Sequence, residues 1–164
     1  MFKLFRSAVI GAVACLIAGS GTAEAASRAG YTRADMAEID SCIAKAQKNS
    51  QHARVCIGAA AQVCERQPEM ASNAGIKDCL TRENAYRDDI LNDRYQQLMR
   101  NFSDQNAKKL QAMQRSWIAW RKEKCELPYM LYEGGTMAGV MSTSCFMETT
   151  AIRALELDEA AIAP

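Results

Sequence analysis

Apolar residues recur every three to four positions from about residue 32 onward, which is the spacing of one α-helix face. The first helix is predicted to begin at Thr32, because Thr32 and Asp35 have the spacing of a capping box. It is predicted to end near the polar pair Asn49-Ser50. A second, short helix is predicted from about Gln51 to Glu65, and a third from about Ile76 to Arg100.

Two further helices are predicted in the second half of the chain. Ser103 is a candidate N-cap for the fourth helix, whose apolar stripe is Leu110, Met113, Trp117 and Trp120. Pro128 and the pair Gly134-Gly135 predict a loop, since proline and glycine interrupt helices. A fifth helix is predicted to begin near Thr136 and to end after Leu157. We therefore predict an all-α bundle of about five helices, with no convincing strand.

The composition favours the same fold class and excludes some partners. Valine and isoleucine are sparse, whereas alanine, methionine, glutamine and charged helix formers are plentiful. The totals are 20 basic and 19 acidic residues. Removing Lys3, Arg6 and Glu24, which fall in the leader described next, leaves 18 of each sign. With no dominant basic patch, nucleic acid and anionic membranes are not expected partners.

The N-terminus has the organisation of a secretory signal peptide. Lys3 and Arg6 precede the apolar run Ser7–Gly19, and Ala23-Glu24-Ala25 is a small-residue cleavage site. We predict a signal peptide at residues 1–25 and a periplasmic or secreted mature chain. The apolar run is shorter than the ~20 residues that span a bilayer, and no later segment approaches that length. Cys15 leaves open a lipid anchor, although the apolar run continues past it.

Six cysteines remain after the predicted cleavage, an even number in an oxidising compartment. They permit fifteen pairings, and the sequence alone does not choose among them. The order of the helices favours bonds between neighbours. The candidate disulfides are Cys42–Cys56, Cys64–Cys79 and Cys125–Cys145. Because there is no C-x-x-C motif and only one histidine, we predict neither a redox site, a metal site nor a bound cofactor.

No arrangement of residues predicts catalysis. His52 is the single histidine and lacks a nucleophile motif around it. Asp88 and Asp89 are adjacent on a helix, so their side chains diverge by about 100° and do not readily face one substrate. A non-enzymatic binding protein is therefore the expected class.

The second half of the chain resembles the LprI-type lysozyme inhibitor family. The residues that carry the resemblance begin near Cys79. They form a Trp-x-x-x-Arg-x-x-x-Cys run, a Gly-Gly turn and a Cys-x4-Thr-x2-Arg run. The motif residues are Gln114, Trp117, Arg121, Cys125, Gly134, Gly135, Cys145, Thr150 and Arg153. The resemblance divides the mature chain into a cysteine-rich helical extension at 26–78 and an LprI-like domain at 79–158.

The resemblance implies a protein partner, lysozyme, whose cleft would be blocked. The best candidate contact is the predicted loop Glu126–Met137, because aromatic residues and methionine are enriched at interfaces. Its candidate contact residues are Glu126, Tyr129, Met130, Tyr132 and Glu133. In the alternative, Tyr129, Met130 and Leu131 fold back over the core. A periplasmic structural or stress-related protein with another partner also stays open, since many lysozymes are basic and this chain is near neutral.

The motif residues themselves are expected to be a scaffold. Gln114, Trp117, Arg121 and Cys125 step by three, four and four, which places them on one helix face. We expect Arg121 to donate to carbonyls of the turn near Gly134 or to pair with a carboxylate, since its guanidinium offers five donors. Direct contact of Arg121 or Trp117 with a partner is the alternative.

Overall fold

The computed structural model describes residues 30–162, and within that range it contains helices and no strand. The predicted leader at residues 1–25, with Cys15, lies outside the described part. The all-α prediction with five helices is confirmed. The helices are α1 Arg33–Lys48, α2 Ala59–Glu65, α3 Asn73–Asn101, α4 Asp104–Leu131 and α5 Thr136–Ile162, with short 3₁₀ turns at Ala53–Cys56 and Pro68–Met70.

The start of α1 is capped as its sequence predicts. The Asp35 N–H donates to the Thr32 hydroxyl, and the Thr32 N–H donates to the Asp35 carboxylate at 2.7 Å. The Arg82 guanidinium of α3 also donates to Asp35, at 2.8 Å from Nη2. The capping carboxylate therefore ties α1 to α3 as well as closing the first turn.

The continuous second helix that we predicted from Gln51 is wrong. A 3₁₀ turn occupies Ala53–Cys56, and α2 begins only at Ala59. Gly58 separates them with a φ of +89°, in the left-handed region that glycine adopts without a steric penalty. The chain reverses there, because a continuous helix cannot pass through that conformation.

A buried ion pair supports this reversal. The Glu83 carboxylate accepts the N–H groups of Gly58, Ala60 and Ala61 at 2.9 to 3.0 Å. Arg87, one turn further along α3, lies 3.0 Å from Glu83 and donates to the Cys56 carbonyl. Both side chains are buried. The first turn of α2 is thus capped by a residue of α3.

Three disulfides link consecutive helical segments. They are Cys42–Cys56, Cys64–Cys79 and Cys125–Cys145, the pairings that helix order favoured. The first joins α1 to the 3₁₀ turn before α2, the second joins α2 to α3, and the third joins α4 to α5. Helix α3 passes through residue 78, where the boundary between the extension and the second domain was predicted; that division stays a prediction.

Helix α5 packs against both α3 and α4, which contact each other much less. Two clusters form the core. The first joins α2, α3 and the N-terminal half of α5, and its buried members are Ala61, Cys64, Cys79, Leu80, Val140 and Met147. The second joins the C-terminal half of α3 to α4 and α5, and its members are Leu91, Leu98, Leu110, Ala154 and Leu157. No helix within residues 30–162 has the length and apolar character needed to cross a membrane.

The apolar stripe predicted for α4 is partly wrong. Met113 and Trp120 are 59% and 50% exposed. The line that faces the bundle instead runs through Leu110, Gln114 and Cys125, which are buried, with Trp117 and Arg121 half-buried between them. Hydrophobicity alone misplaced this face, because two of its positions carry polar side chains.

The predicted end of α4 is also wrong. The helix continues through Pro128 to Leu131, and most of the predicted loop Glu126–Met137 is helical. Proline removes one backbone donor, which here affects only the carbonyl of Lys124 one turn earlier. The last turn still closes, since the Tyr132 N–H donates to the Pro128 carbonyl at 2.9 Å. Only residues 132–135 separate α4 from α5.

Candidate functional site

Arg121 is the central residue of the Trp-x-x-x-Arg-x-x-x-Cys motif on α4. Its Nη1 donates to the Thr150 hydroxyl at 2.7 Å. Its guanidinium carbon lies 4.5 Å from the Trp117 ring centroid and 5.6 Å from that of Phe146. Stacking of this kind suits arginine, whose planar cation is weakly hydrated. Arg121 therefore joins α4 to α5 through the Thr150 hydroxyl and the Phe146 ring, and it also stacks on Trp117 of its own helix.

The charge of Arg121 is partly removed from water. Burial lowers the pKa of Arg121, and the negative charge of Asp88 acts in the opposite direction. The Asp88 carboxylate lies 3.8 Å from Nη1. Of the two partners predicted for Arg121, the turn carbonyls near Gly134 are wrong, because the side chain reaches across to α5 instead of along α4. Asp88 is the carboxylate within its reach.

Arg153 forms the second half of this cluster. Its Nε donates to the Gln114 side-chain oxygen at 3.1 Å, and its guanidinium carbon lies 5.9 Å from the Trp117 ring centroid. The same guanidinium pairs with Glu156 at 3.0 Å. Five motif residues thus meet between α4 and α5, and we call them the motif cluster: Gln114, Trp117, Arg121, Thr150 and Arg153.

The two motif glycines lie apart from this cluster, in the turn between α4 and α5. Gly134 has a φ of +74°, and Glu133 before it has a φ of +47°. The Gly134 N–H donates to the Tyr129 carbonyl, and the Gly135 N–H donates to the Tyr132 carbonyl at 2.9 Å. Those bonds satisfy carbonyls at the end of α4, which is how left-handed residues commonly terminate a helix.

The end of this hairpin exposes apolar side chains to solvent. We call residues 126–137 the hairpin tip. Met130 is 74% exposed and Leu131 67%, and the tip also exposes Leu127, Tyr129, Tyr132 and Met137. Our alternative prediction was that Tyr129, Met130 and Leu131 fold over the core. Their exposure shows that they do not. A contiguous exposed apolar surface is typical of interaction sites.

The tip also has a charge of one sign. Its two charged side chains are Glu126 and Glu133, both exposed, and it has no basic residue. The Cys125–Cys145 disulfide closes the hairpin directly behind it. All five predicted contact residues are exposed in this segment: Glu126, Tyr129, Met130, Tyr132 and Glu133.

Residues tested for catalytic geometry have other partners. The Nδ1 atom of His52 accepts the Arg54 N–H, and Nε2 lies 3.0 Å from Glu159 on α5. No group of histidine, cysteine and carboxylate side chains within residues 30–162 is arranged to hold a metal ion.

Sequence reasoning missed two contributors to the motif cluster. Asp88 was considered only as one of two adjacent carboxylates that do not face one substrate, and Phe146 was not identified as a ring that stacks on Arg121. Phe146 had a signal in the sequence, because it lies one turn before Thr150 on the same face. Asp88 had none, since its contact with Arg121 depends on how α3 packs beside α4.

Comparison with known families finds one match. Residues 64–157 match the family described as Lysozyme inhibitor LprI. The matched stretch runs from the end of α2 to Leu157 in α5, so it includes the motif cluster and the hairpin tip. Comparison with curated proteins and with solved structures found no match. Because the matched residues cover more than half of the chain, this protein belongs to the LprI family of lysozyme inhibitors.

Proposed function

We propose that this protein is exported, and that it inhibits a lysozyme by binding it with the hairpin tip. Membership of an inhibitor family supports the general activity. The single structural observation that carries the choice of surface is the exposure of apolar and acidic side chains together at residues 126–137.

The chemistry of the tip fits a basic, concave partner. The whole chain is nearly neutral, but the tip carries two carboxylates and no cation. An acidic surface attracts a basic lysozyme and orients it during the encounter. Met130 and the two tyrosines then supply the apolar contact area. The neutrality of the whole chain therefore does not count against a local electrostatic match.

The structure behind the tip supports rigid binding. The Cys125–Cys145 bond joins its two helices, and Arg121 links them again one turn further from the tip. A segment that is already ordered loses less conformational entropy on binding. In this proposal the motif cluster is a brace for the tip and does not itself contact lysozyme.

Export is proposed from the leader and the disulfides together. The predicted signal peptide at residues 1–25 has all three regions of such a segment. Three disulfides are typical of proteins outside the cytosol. We propose a periplasmic or secreted location, where a lysozyme would be met.

The direct test is a lysis assay with the purified, oxidised protein. It should slow the clearing of a bacterial suspension by added lysozyme, and the effect should saturate with inhibitor concentration. Unchanged clearing at large molar excess over several lysozyme types would reject the proposal.

The tip assignment is tested by a matched pair of methionine variants on α4. Met130→Ser removes a tip side chain, whereas Met113→Ser removes a similarly exposed methionine outside the tip. We expect inhibition to weaken at least tenfold for Met130→Ser and to stay unchanged for Met113→Ser, with both variants equally stable. Equal inhibition by the two variants would place the binding surface elsewhere.

The second candidate is a structural or stress-related envelope protein with a different partner. The observation that favours it is the balanced charge of the whole chain, which provides no long-range attraction to lysozyme. Affinity capture with the native protein from a periplasmic extract containing added lysozyme separates the two. Recovery of one envelope protein while lysozyme stays unbound would favour this second candidate.

A further inference from the structure

A polar groove lies between α3 and α4, away from the hairpin tip. Its volume is about 240 Å³. Four of its seven lining residues are asparagine or glutamine, and the others are a tyrosine, an arginine and an isoleucine. They are Asn92, Tyr95, Gln96, Gln111, Gln114, Arg115 and Ile118.

Gln114 is the buried member of this set and has a fixed orientation. It is only 7% exposed. Because Arg153 Nε is a donor, the Gln114 atom that it contacts at 3.1 Å must be the carbonyl oxygen. This leaves the Gln114 amide nitrogen as the donor that Gln114, a lining residue, can offer to the groove. Among residues 30–162 it has no hydrogen-bond partner, and it is not closed off from solvent.

The other polar groups of the groove are similarly available. Within the described residues, the side chains of Gln96, Gln111 and Arg115 and the Tyr95 hydroxyl have no hydrogen-bond or ion-pair partner. Asn92 donates to Asp88, which leaves its oxygen free to accept. No carboxylate lines the groove. The site therefore offers several neutral donors and acceptors, one cation and no anion.

This inventory favours a particular class of ligand. Side-chain amides and a phenol both donate and accept, as do the hydroxyl and acetamido groups of sugars. The ring of Tyr95 and the side chain of Ile118 provide apolar area for the C–H face of a sugar ring. Because the oxygen of Gln114 is held by Arg153, its amide nitrogen is the group left to donate to a ligand that carries an acceptor. We infer that this groove binds a neutral saccharide, with the Gln114 amide nitrogen as its central donor.

The inference does not rest on lysozyme inhibition. The groove is formed by residues 92–96 and 111–118, whereas the proposed lysozyme contact is at 126–137. Gln114 nevertheless belongs to both the groove and the motif cluster, where it accepts a hydrogen bond from Arg153. One arginine thus orients a groove amide and also packs near Trp117.

The test is a titration of the full oxidised protein, without lysozyme, followed by heteronuclear NMR. The probes are the N-acetylglucosamine trisaccharide and a glucose trisaccharide of equal length. We expect saturable shifts of the side-chain amide signals of Gln96, Gln111 and Gln114, with dissociation constants in the millimolar range or below. No saturable shift with either sugar, or shifts confined to residues outside the groove, would overturn the inference.

Variants on the rim of the groove test the assignment without disturbing the core. Gln111→Ala and Tyr95→Phe should each weaken binding about fivefold, the usual effect of losing one hydrogen bond. Gln105→Ala is the matched control, because Gln105 is an exposed glutamine of α4 outside the groove. Equal affinity of all three variants would contradict the assignment. Since lysozyme inhibition is measured separately, failure of one proposal is distinguishable from failure of the other.

Discussion

Glu83 shows how much a single buried carboxylate contributes to this fold. It caps α2 through three backbone N–H groups and also pairs with Arg87. Both charges are withdrawn from water, which is costly unless each has partners. Here the helix N-terminus, the Cys56 carbonyl and the ion pair supply them. Removing either charge should therefore cost more than an exposed ion pair would.

Glu83→Gln tests this at the residue scale. The substitution keeps the size of the side chain but leaves the buried Arg87 charge without its counter-ion. We expect the free energy of unfolding to fall by about 3–5 kcal/mol, measured by urea denaturation. Glu38→Gln, at an exposed position of α1, is the control and should change stability little. A loss of less than about 1 kcal/mol for Glu83→Gln would show that the pair is not needed.

The stability of the fold is predicted to depend on pH in the alkaline range because of Tyr86. Burial, followed by the hydrogen bond from its hydroxyl to Asp40, raises the pKa of Tyr86 from 10.0 to about 12. The folded state thus holds the phenol proton more tightly than the unfolded state does. This contribution to stability is complete below pH 10 and is lost as the pH rises towards 12.

Urea denaturation between about pH 9 and pH 12 measures that loss. Tyr86→Phe should show a shallower decline in stability over this range than the wild type. Tyr132→Phe, at the exposed turn, provides the comparison and should decline as the wild type does. Parallel curves for wild type and Tyr86→Phe would rule out this role for the phenol.

At the scale of elements, the α4–α5 hairpin depends on a turn with left-handed backbone. Gly134 has a φ of +74°, whereas Gly139 is inside α5 with helical backbone. Adding a methyl group at Gly134 should destabilise the protein by about 1 kcal/mol or more. At Gly139 the added methyl group would meet the flexible end of Lys77, so Gly139→Ala should stabilise the helix by up to about 1 kcal/mol.

Thermal unfolding of the two glycine variants measures whether the two substitutions change stability in opposite directions. Gly134→Ala should melt below the wild type and Gly139→Ala above it. Should both variants shift in the same direction, the turn would not impose the conformation that the structure shows.

The Cys125–Cys145 disulfide is expected to serve both stability and binding. It closes a loop with a sequence separation of 20, for which the chain-entropy estimate is about 3 kcal/mol. We expect Cys125→Ser with Cys145→Ser to lose about that much stability and also to weaken lysozyme inhibition. Cys42→Ser with Cys56→Ser should lose a similar amount of stability but retain inhibition at temperatures where it stays folded. Equal inhibition by both double variants would show that binding at the hairpin tip does not depend on the Cys125–Cys145 bond.

At the scale of the whole molecule, capping residues and apolar spacing predicted the helices. Contacts between helices determined which side chains meet in the candidate site. The caps at Thr32 and Ser103 marked helix starts correctly, because each side chain bonds to its own first turn. Pro128 misled us, because its effect depends on how near the helix end it lies. The role of Glu83 and the Arg153 partner of Gln114 could not be predicted, since each depends on a contact with another helical segment.

Hydrogen exchange of the protein with and without saturating lysozyme tests binding through the hairpin tip. We expect slower exchange in peptides from residues 126–137, where α4 ends and the turn is exposed, and unchanged exchange in α1 and α2. Slower exchange confined to other segments, or no change anywhere at saturating lysozyme, would contradict binding through the hairpin tip.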